Sequence, residues 1–313
     1  MGKSISKPTK TTHTKGANKQ PINSTKAIKR LEVQKTYKLY IGGKYPRTES
    51  GRYYSLQDAS GNHIAHVCRA SRKDFRNAVV AARKAQNGWA GRSAYNRGQI
   101  LYRMAEILEG RKEQFVQELL QLGLSPADAE KNVTQSIDRM IYYAGWTDKY
   151  QQLFSSVNPV ASSHFNFSLP EPTGVVSIIA PQAGGLCGLV STLLPVLAGG
   201  NTSVVLAGQS LATVAISFAE VLSVSDLPAG VINMLTGYED ELLSHFASHM
   251  DVNAIIYAGN TPENWKQIQE LATLNVKRVI QHDLQDWLSD QAETPYWIME
   301  TQEIKTTWHP VGT

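Results

Sequence analysis

The chain has 313 residues, of which 42% are hydrophobic and 19% charged, a balance that suits one large or two ordinary globular domains and excludes a wholly disordered chain. No apolar run is long enough to span a bilayer, no secretory leader is legible near the start, and two distant cysteines, Cys68 and Cys187, exclude a disulfide framework or a zinc site. The net charge of +4 is unevenly spread: residues 1–35 hold nine Lys/Arg and one acid, leaving 22 basic and 26 acidic residues in the body.

The basic segment begins "MGKSISKPTKTTHTKGANKQ" and is nearly free of large apolar groups. It cannot bury enough surface to offset its ordering entropy, so residues 1–35 are predicted to form a disordered tail. A solubilising role is its plainest use. Its opening "MGKSIS" also fits the myristoylation pattern, which is short and common by chance. Aromatic and basic residues are not interleaved, so nucleic-acid binding is not expected. The sparse cysteines point to a reducing, cytoplasmic setting.

Order is predicted from about Tyr37. "YKLYIGGKYPRTESGRYYSL" reads as strand, Gly-Gly turn and strand, and "NHIAHVCRAS" as a third strand. Ser71 and Asp74 form a capping box for a helix with Phe75, Val79, Ala82 and Ala85 on one face. A helical stretch from Tyr95 to Leu122 is interrupted at Gly110, and another follows Pro126 to about Leu153. Residues 154–170, "FSSVNPVASSHFNFSLP", alternate in part and read as a protruding β-ribbon, which cannot bury its own faces and asks for a partner surface.

From Gly174 the texture changes. The β-branched run "GVVSIIA" is typical of a parallel strand buried on both faces. A helix from Leu189 to Leu197, "TSVVL", a helix from Ser210 to Leu222, "GVINML", a helix from Glu239 to Ser248, "NAIIYA", a helix from Pro262 to Leu271 and "VKRVI" follow in alternation. This pattern predicts an α/β fold: a Rossmann-like parallel sheet flanked by helices. Ligands of such sheets bind beyond the carboxyl ends of the strands. That places the candidate turns at Pro181–Cys187, Ala207–Ser210, Thr236–Tyr238 and Ala258–Thr261. After Ile280 the alternation ends in a polar stretch with two tryptophans and a strand-like "EIKTTW".

Within these turns the chemistry is sparse. The glycine-bearing turns "PQAGGLCG", "LAGQS" and "AGNT" free backbone amides that could cradle a small ligand, and equally suit tight strand-to-helix turns. Cys187, near a helix start, is a candidate thiolate, against the commoner reading of a buried, inert cysteine. His245 and His249 are spaced i, i+4 but lack further ligands for a metal.

The segments "RASRKDFRNAVVAARKAQNGWAGRSAYNRGQILYRMAEIL", "PTGVVSIIAP", "LPVLAGGNTSVVL", "DLPAGVINMLTG" and "HMDVNAIIYAGNT" resemble, in order, the aldehyde dehydrogenase superfamily from about Tyr37 to Ile280. The resemblance implies a cofactor-binding domain over residues 36–153 and 171–281. It also implies oligomerisation β elements at 154–170 and 296–309, with the terminal strand pairing across subunits. The cofactor positions it marks are Pro181, Gln182, Ala207, Gly208, Gly237, Gly259 and Asn260.

The departures from the family pattern are equally specific. The family's Pro-Trp-Asn-Phe turn is Pro181-Gln182-Ala183-Gly184 here, so its oxyanion-binding asparagine is replaced by Ala183. Its Lys-Pro-Ser-Glu ribose clamp is Ala207-Gly208-Gln209-Ser210, and its Gly-Ser pair is Gly259-Asn260. His282 stands where the general-base glutamate falls, after which the chain passes to the terminal strand without the family's catalytic domain. The resemblance therefore implies a non-catalytic subunit, partnered by itself or by a full-length aldehyde dehydrogenase, with no tight cofactor and at most weak NAD(P) binding. The alternatives are an NAD(P)-dependent oxidoreductase completed by a partner chain and a nucleotide-binding module without chemistry.

Overall fold

The computed structural model of the protein describes residues 1, 2, 4, 35–58 and 60–312. Two units divide the chain, Met1–Gln34 and Lys35–Thr313, and every element below belongs to the second. The predicted disordered tail lies outside the described residues except at positions 1, 2, 4 and 35.

β1 (Thr36–Tyr37), β2 (Tyr53–Gln57) and β3 (His63–Cys68) form a small sheet in the order β1-β3-β2. The Gly42–Gly43 turn, expected between a short strand and a second strand, is flanked only by the single bridge Ile41↔Lys44, and β2 begins later, at Tyr53. The turn projects from Ile41 and Lys44, and Tyr40 docks on the main sheet by exchanging hydrogen bonds with Met234 at 2.9 and 2.7 Å. The Ser71–Asp74 capping box starts α1 (Arg72–Ala90), which buries Phe75, Val79 and Ala82 as its period predicts. The stretch interrupted at Gly110 is two helices, α2 (Ala94–Gly110) and α3 (Lys112–Gln121). Ser125 caps α4 (Pro126–Trp146), and the short α5 (Tyr150–Phe154) follows. β4 (Ser156–Asn158) and β5 (His164–Pro172) make the ribbon.

The main sheet is built from β6 (Val175–Ile179), β7 (Thr202–Leu206), β8 (Ile232–Leu235), β9 (Ala254–Tyr257) and β10 (Arg278–Gln281), all parallel, in the order β10-β9-β6-β7-β8. Between them run α6 (Gly185–Ala198), α7 (Ala212–Ser223), α8 (Glu239–Ser248) and α9 (Pro262–Ala272). Side chains alternate across the strands. Val175, Ile179, Val204 and Leu206 pack toward α1, α8 and α9, whereas Val176, Ile178 and Val205 pack toward α2, α4, α6 and α7. α6 is apolar all round and buried along its whole length, as a helix between a sheet and other helices requires. Truncating one of its leucines to alanine would cost about 2–5 kcal/mol. It starts at Gly185, before the expected Leu189. Its first turn is capped by a distant side chain: Asn132 of α4 accepts the Cys187 N–H at 3.1 Å and donates to the Gly184 carbonyl at 2.9 Å.

The chain finishes with α10 (Tyr296–Glu300) and β11 (Gln302–Pro310). The ribbon is not left to find its partner elsewhere: β11 pairs antiparallel with β5 from Gln302↔Pro172 to Pro310↔His164, giving a three-stranded sheet β11-β5-β4. The terminal strand returns alongside the ribbon, so both edges of β5 are paired within the chain, while β11 and β4 form the outer edges of this sheet. Among the described residues no helix is long and apolar enough to cross a membrane.

Candidate functional site

The strand order of the main sheet reverses between β6 and β9, so the crevice for a ligand lies beyond the carboxyl ends of these strands. All the sequence-predicted positions sit at that edge. β6 leads into Pro181 and Gln182, β7 into Ala207 and Gly208, β8 into Gly237, and β9 into Gly259 and Asn260. Pro181, Ala207, Gly208 and Gly237 are buried, Gly259 is half-buried, and Gln182 and Asn260 are exposed. The first two turns are in close contact: a Cβ on Gly208 would lie 2.7 Å from the Pro181 carbonyl oxygen.

Gln182 ties this edge together. Its Oε1 accepts the Gln209 N–H at 2.8 Å, its carbonyl accepts the Ser210 hydroxyl at 3.3 Å, and its Nε2 donates to Glu239 Oε2 at 3.3 Å. Glu239 Oε1 in turn accepts from Asn264 at 2.8 Å. Beside these turns lies a cavity of ≈ 390 Å³ lined by Tyr54, Ser55, Leu56, Gln57, Gln182, Gln209 and Ser210. Of the predicted positions, Gln182 alone lines it, and no lining side chain carries a charge. α8 opens on Glu239, Asp240 and Glu241, and α9 has Glu263 in its first turn. These carboxylates suit the helix dipoles but make both helix starts poor hosts for a phosphate.

The switch-point crevice is occupied by the chain itself. After β10 the backbone folds back so that Trp287, 3% exposed, packs with Ala258, Ala292 and Trp297. The indole lies on the glycine turn that opens α6. Gly184 has φ +92°, and a Cβ there would come 2.5 Å from the Trp287 ring. Glycine therefore serves both the left-handed backbone and the close approach. The buried Arg139 of α4 holds this segment by its carbonyls. Nη1 donates to Trp287 at 3.0 Å and Ala292 at 2.9 Å, and Nη2 donates to Ser289 at 3.2 Å. Nη1 also donates to the Ser191 hydroxyl at 2.6 Å, while Nε faces Glu293 at 3.4 Å in an ion pair without a hydrogen bond.

Cys187, the candidate nucleophile, is fully buried beneath this cover, and its Sγ donates to the Trp287 carbonyl at 3.4 Å. Burial pushes the thiol up, outweighing the nearby Arg139, so the thiolate that a nucleophile needs is disfavoured. The position does not support catalysis. Cys68 is likewise buried, at the end of β3. His282, in the general-base register, is buried, stacks on Trp297 at 4.1 Å and shares a 2.7 Å hydrogen bond between Nε2 and Glu300. It braces α10 and does not line the cavity beside Gln182. Among the described residues no group of His, Cys, Asp and Glu could hold a metal, His245 and His249 included.

Sequence reading missed the roles of Trp287 and Arg139. The available signal was indirect: glycines at 184, 185 and 188, and two tryptophans in a short polar segment.

A doubly wound sheet with its ligand turns at the strand carboxyl ends defines a dinucleotide-fold domain. The model of the aldehyde dehydrogenase family matches residues 45–282, and the chain belongs to that family. It is 34% identical over 260 residues to the cytosolic 10-formyltetrahydrofolate dehydrogenase of Mus musculus, covering 81% of this chain and 29% of that protein. With the putative aldehyde dehydrogenase DhaS of Bacillus subtilis (strain 168) the identity is 33%, over 80% of this chain and 51% of the relative. The chain thus spans at most about half the length of these relatives. Among solved structures, HpcC of Thermus thermophilus aligns with a TM-score of 0.75 at 25% identity, over 79% of this chain and 48% of its own. The NAD+ complex of an aldehyde dehydrogenase from Bacillus cereus aligns with a TM-score of 0.74 at 25% identity, over 79% and 50%.

Proposed function

We propose that the chain acts as a non-catalytic subunit of aldehyde-dehydrogenase type, joining a second copy of itself or a full-length aldehyde dehydrogenase through the sheet of β4, β5 and β11. The observation that carries this reading is the closed crevice: Trp287 rests on the Gly184 turn where the fold would receive a ligand. Ala183, Ala207 and Ser210 offer none of the amide or charged groups of the family's motifs, and Cys187 is buried. In the family pattern the catalytic domain falls between the last sheet strand and the terminal strand. Here residues 282–301 make that connection, and Arg139 anchors them. NAD(P) binding is accordingly weak or absent. The two buried, unpaired cysteines favour a cytoplasmic setting.

The protruding sheet supports the partner half of the proposal. Cross-strand pairing puts Val157, Phe165 and Leu169 on one face and Ile304 and Trp308 on the other, and all five are exposed. Apolar residues on both faces of a thin sheet mark an interaction surface. Light scattering across micromolar concentrations, with the chain alone and mixed with a full-length aldehyde dehydrogenase, tests it. A dimer or mixed complex is expected, whereas a monomer under both conditions overturns it. Calorimetry with NAD tests the rest: a flat titration at millimolar NAD is expected, and micromolar affinity would refute the closed crevice.

A further inference from the structure

The groove between α1 and α8 collects cations to which the reading above gives no use. Arg72 and Arg76 stand four residues apart on α1, and His245 and His249 four apart at the end of α8, so each pair faces one side. With Phe75, Ser248 and Met250 they line a cavity of ≈ 300 Å³. The two helices are locked there by Phe75, which stacks on Phe246 at 4.2 Å and meets the His249 ring edge-on at 5.6 Å.

Other arginines of the chain sit in ion pairs. Arg52 and Arg69 meet Glu241, Arg111 meets Glu220, and Arg278 meets Glu303. Among the described residues Arg72 and Arg76 have no carboxylate partner. Behind His249 the buried Lys277 donates to its carbonyl at 2.9 Å and also has no carboxylate partner. Asp251 is the acid beside this group, and its backbone N–H donates to His249 Nδ1 at 3.2 Å. That bond fixes the neutral His249 with its proton on Nε2. The body outside residues 1–35 is net acidic, so composition alone does not account for the cluster.

We propose that this groove binds a phosphomonoester, a dianionic oxyanion carried on a small organic group. Two guanidinium forks and two imidazole N–H groups match three phosphate oxygens better than the two of a carboxylate. The volume exceeds what a bare phosphate needs and reaches the lower end of small-molecule pockets. Met250, exposed at the rim, offers an apolar contact to the organic group. Burial lowers both imidazoles, and Arg72 adds to this at His245. At His249, Lys277, Arg76 and His245 add to it while Asp251 opposes. An arriving dianion reverses that repulsion and favours proton uptake at His245, whereas the Asp251 N–H already occupies His249 Nδ1, so binding tightens as pH falls through the range of His245.

The groove lies at the end of α8 away from Glu239, and its test is independent of the subunit reading. Calorimetry on the full chain at low ionic strength compares phenyl phosphate with inorganic phosphate. Phenyl phosphate is expected to bind saturably and at least about tenfold more tightly. The double variant Arg72→Gln/Arg76→Gln is expected to weaken it by at least about tenfold, and Arg47→Gln, an exposed arginine outside the groove, to leave it unchanged. Unfolding midpoints of the variants verify folding, and the His245 and His249 ring resonances are expected to shift on addition of phenyl phosphate. No saturable binding by about 10 mM overturns the site. So does undiminished binding in the double variant or an equal loss in Arg47→Gln. Equal affinity for inorganic phosphate overturns the assignment to an ester.

Discussion

Arg139 Nη1 donates a 3.0 Å hydrogen bond to the carbonyl of Trp287, joining the interior of α4 to the segment that covers the crevice. The guanidinium is fully buried and also serves Ala292, Ser289 and Ser191. Arg139→Ala leaves these acceptors unmatched, and we expect a loss of about 3–5 kcal/mol in urea unfolding. Arg139→Lys keeps the charge but not the fork, so it is expected to fall between the two. If both variants unfold at the wild-type midpoint, the clamp has no role in stability.

Gly184 and Trp287 form the other half of this closure. Gly184→Ala places a methyl against the indole at a backbone angle that L residues rarely adopt. We expect a loss of about 1–3 kcal/mol, read as a lower thermal midpoint. Trp287→Ala removes the obstacle but opens a void, at about 3–5 kcal/mol. In the double variant the penalties should not add, because the clash no longer exists. Strict additivity would separate the two residues.

Cys187 should be inert toward alkylation in the folded protein. Its thiol is buried and raised by that burial, so few thiolates form and reagent cannot reach them. Mass spectrometry after iodoacetamide at mild alkaline pH is expected to show Cys187 unmodified until denaturant is added. Rapid native labelling would reopen the case for a nucleophile.

Lys277 gives the protein a pH dependence of definite sign. Burial lowers its ammonium from the ordinary 10.5 to about 8. The unfolded chain therefore binds more protons between these values, and stability from this group rises with pH across that window. Below about 8 the full cost of the buried charge is present. Lys277→Met is expected to raise the thermal midpoint at pH 7, with the gain shrinking above pH 8. A gain that stays constant with pH would place its cause in packing.

The sequence was most legible where local pattern and burial agree. "TSVVL" reads as a strand and is β7, Thr202–Leu206, because both faces of that strand are covered and every side chain is apolar or small. The helix from Glu239 to Ser248 matches for the same reason, with Leu242, Leu243 and Phe246 on its buried side. The carboxyl-end turns were located, since the alternation of strand and helix marks where each strand ends. What was not legible depends on distant partners. Nothing local to Arg139 says that it faces backbone carbonyls of residues 287–292. The pairing of β11 with β5 is similarly hidden, because alternation marks both strands but does not say that they meet. The cationic groove needed α1 and α8 side by side. In sequence, His245 and His249 stood only as an incomplete metal pair.

The partnership of β5 and β11 also sets an order of events during synthesis. Residues 164–172 emerge from the ribosome long before 302–310, the strand that covers one of their edges. Until then that edge is open, with Phe165 and Leu169 beside it, a state prone to pairing with the wrong chain. The main sheet closes earlier, at β10, so the two sheets are completed in sequence. A nascent chain halted before Thr301 should therefore hold a finished five-stranded sheet and an unfinished β4-β5 ribbon. The three-stranded sheet, the partner surface proposed above, is therefore complete only once the strand at 302–310 has been made.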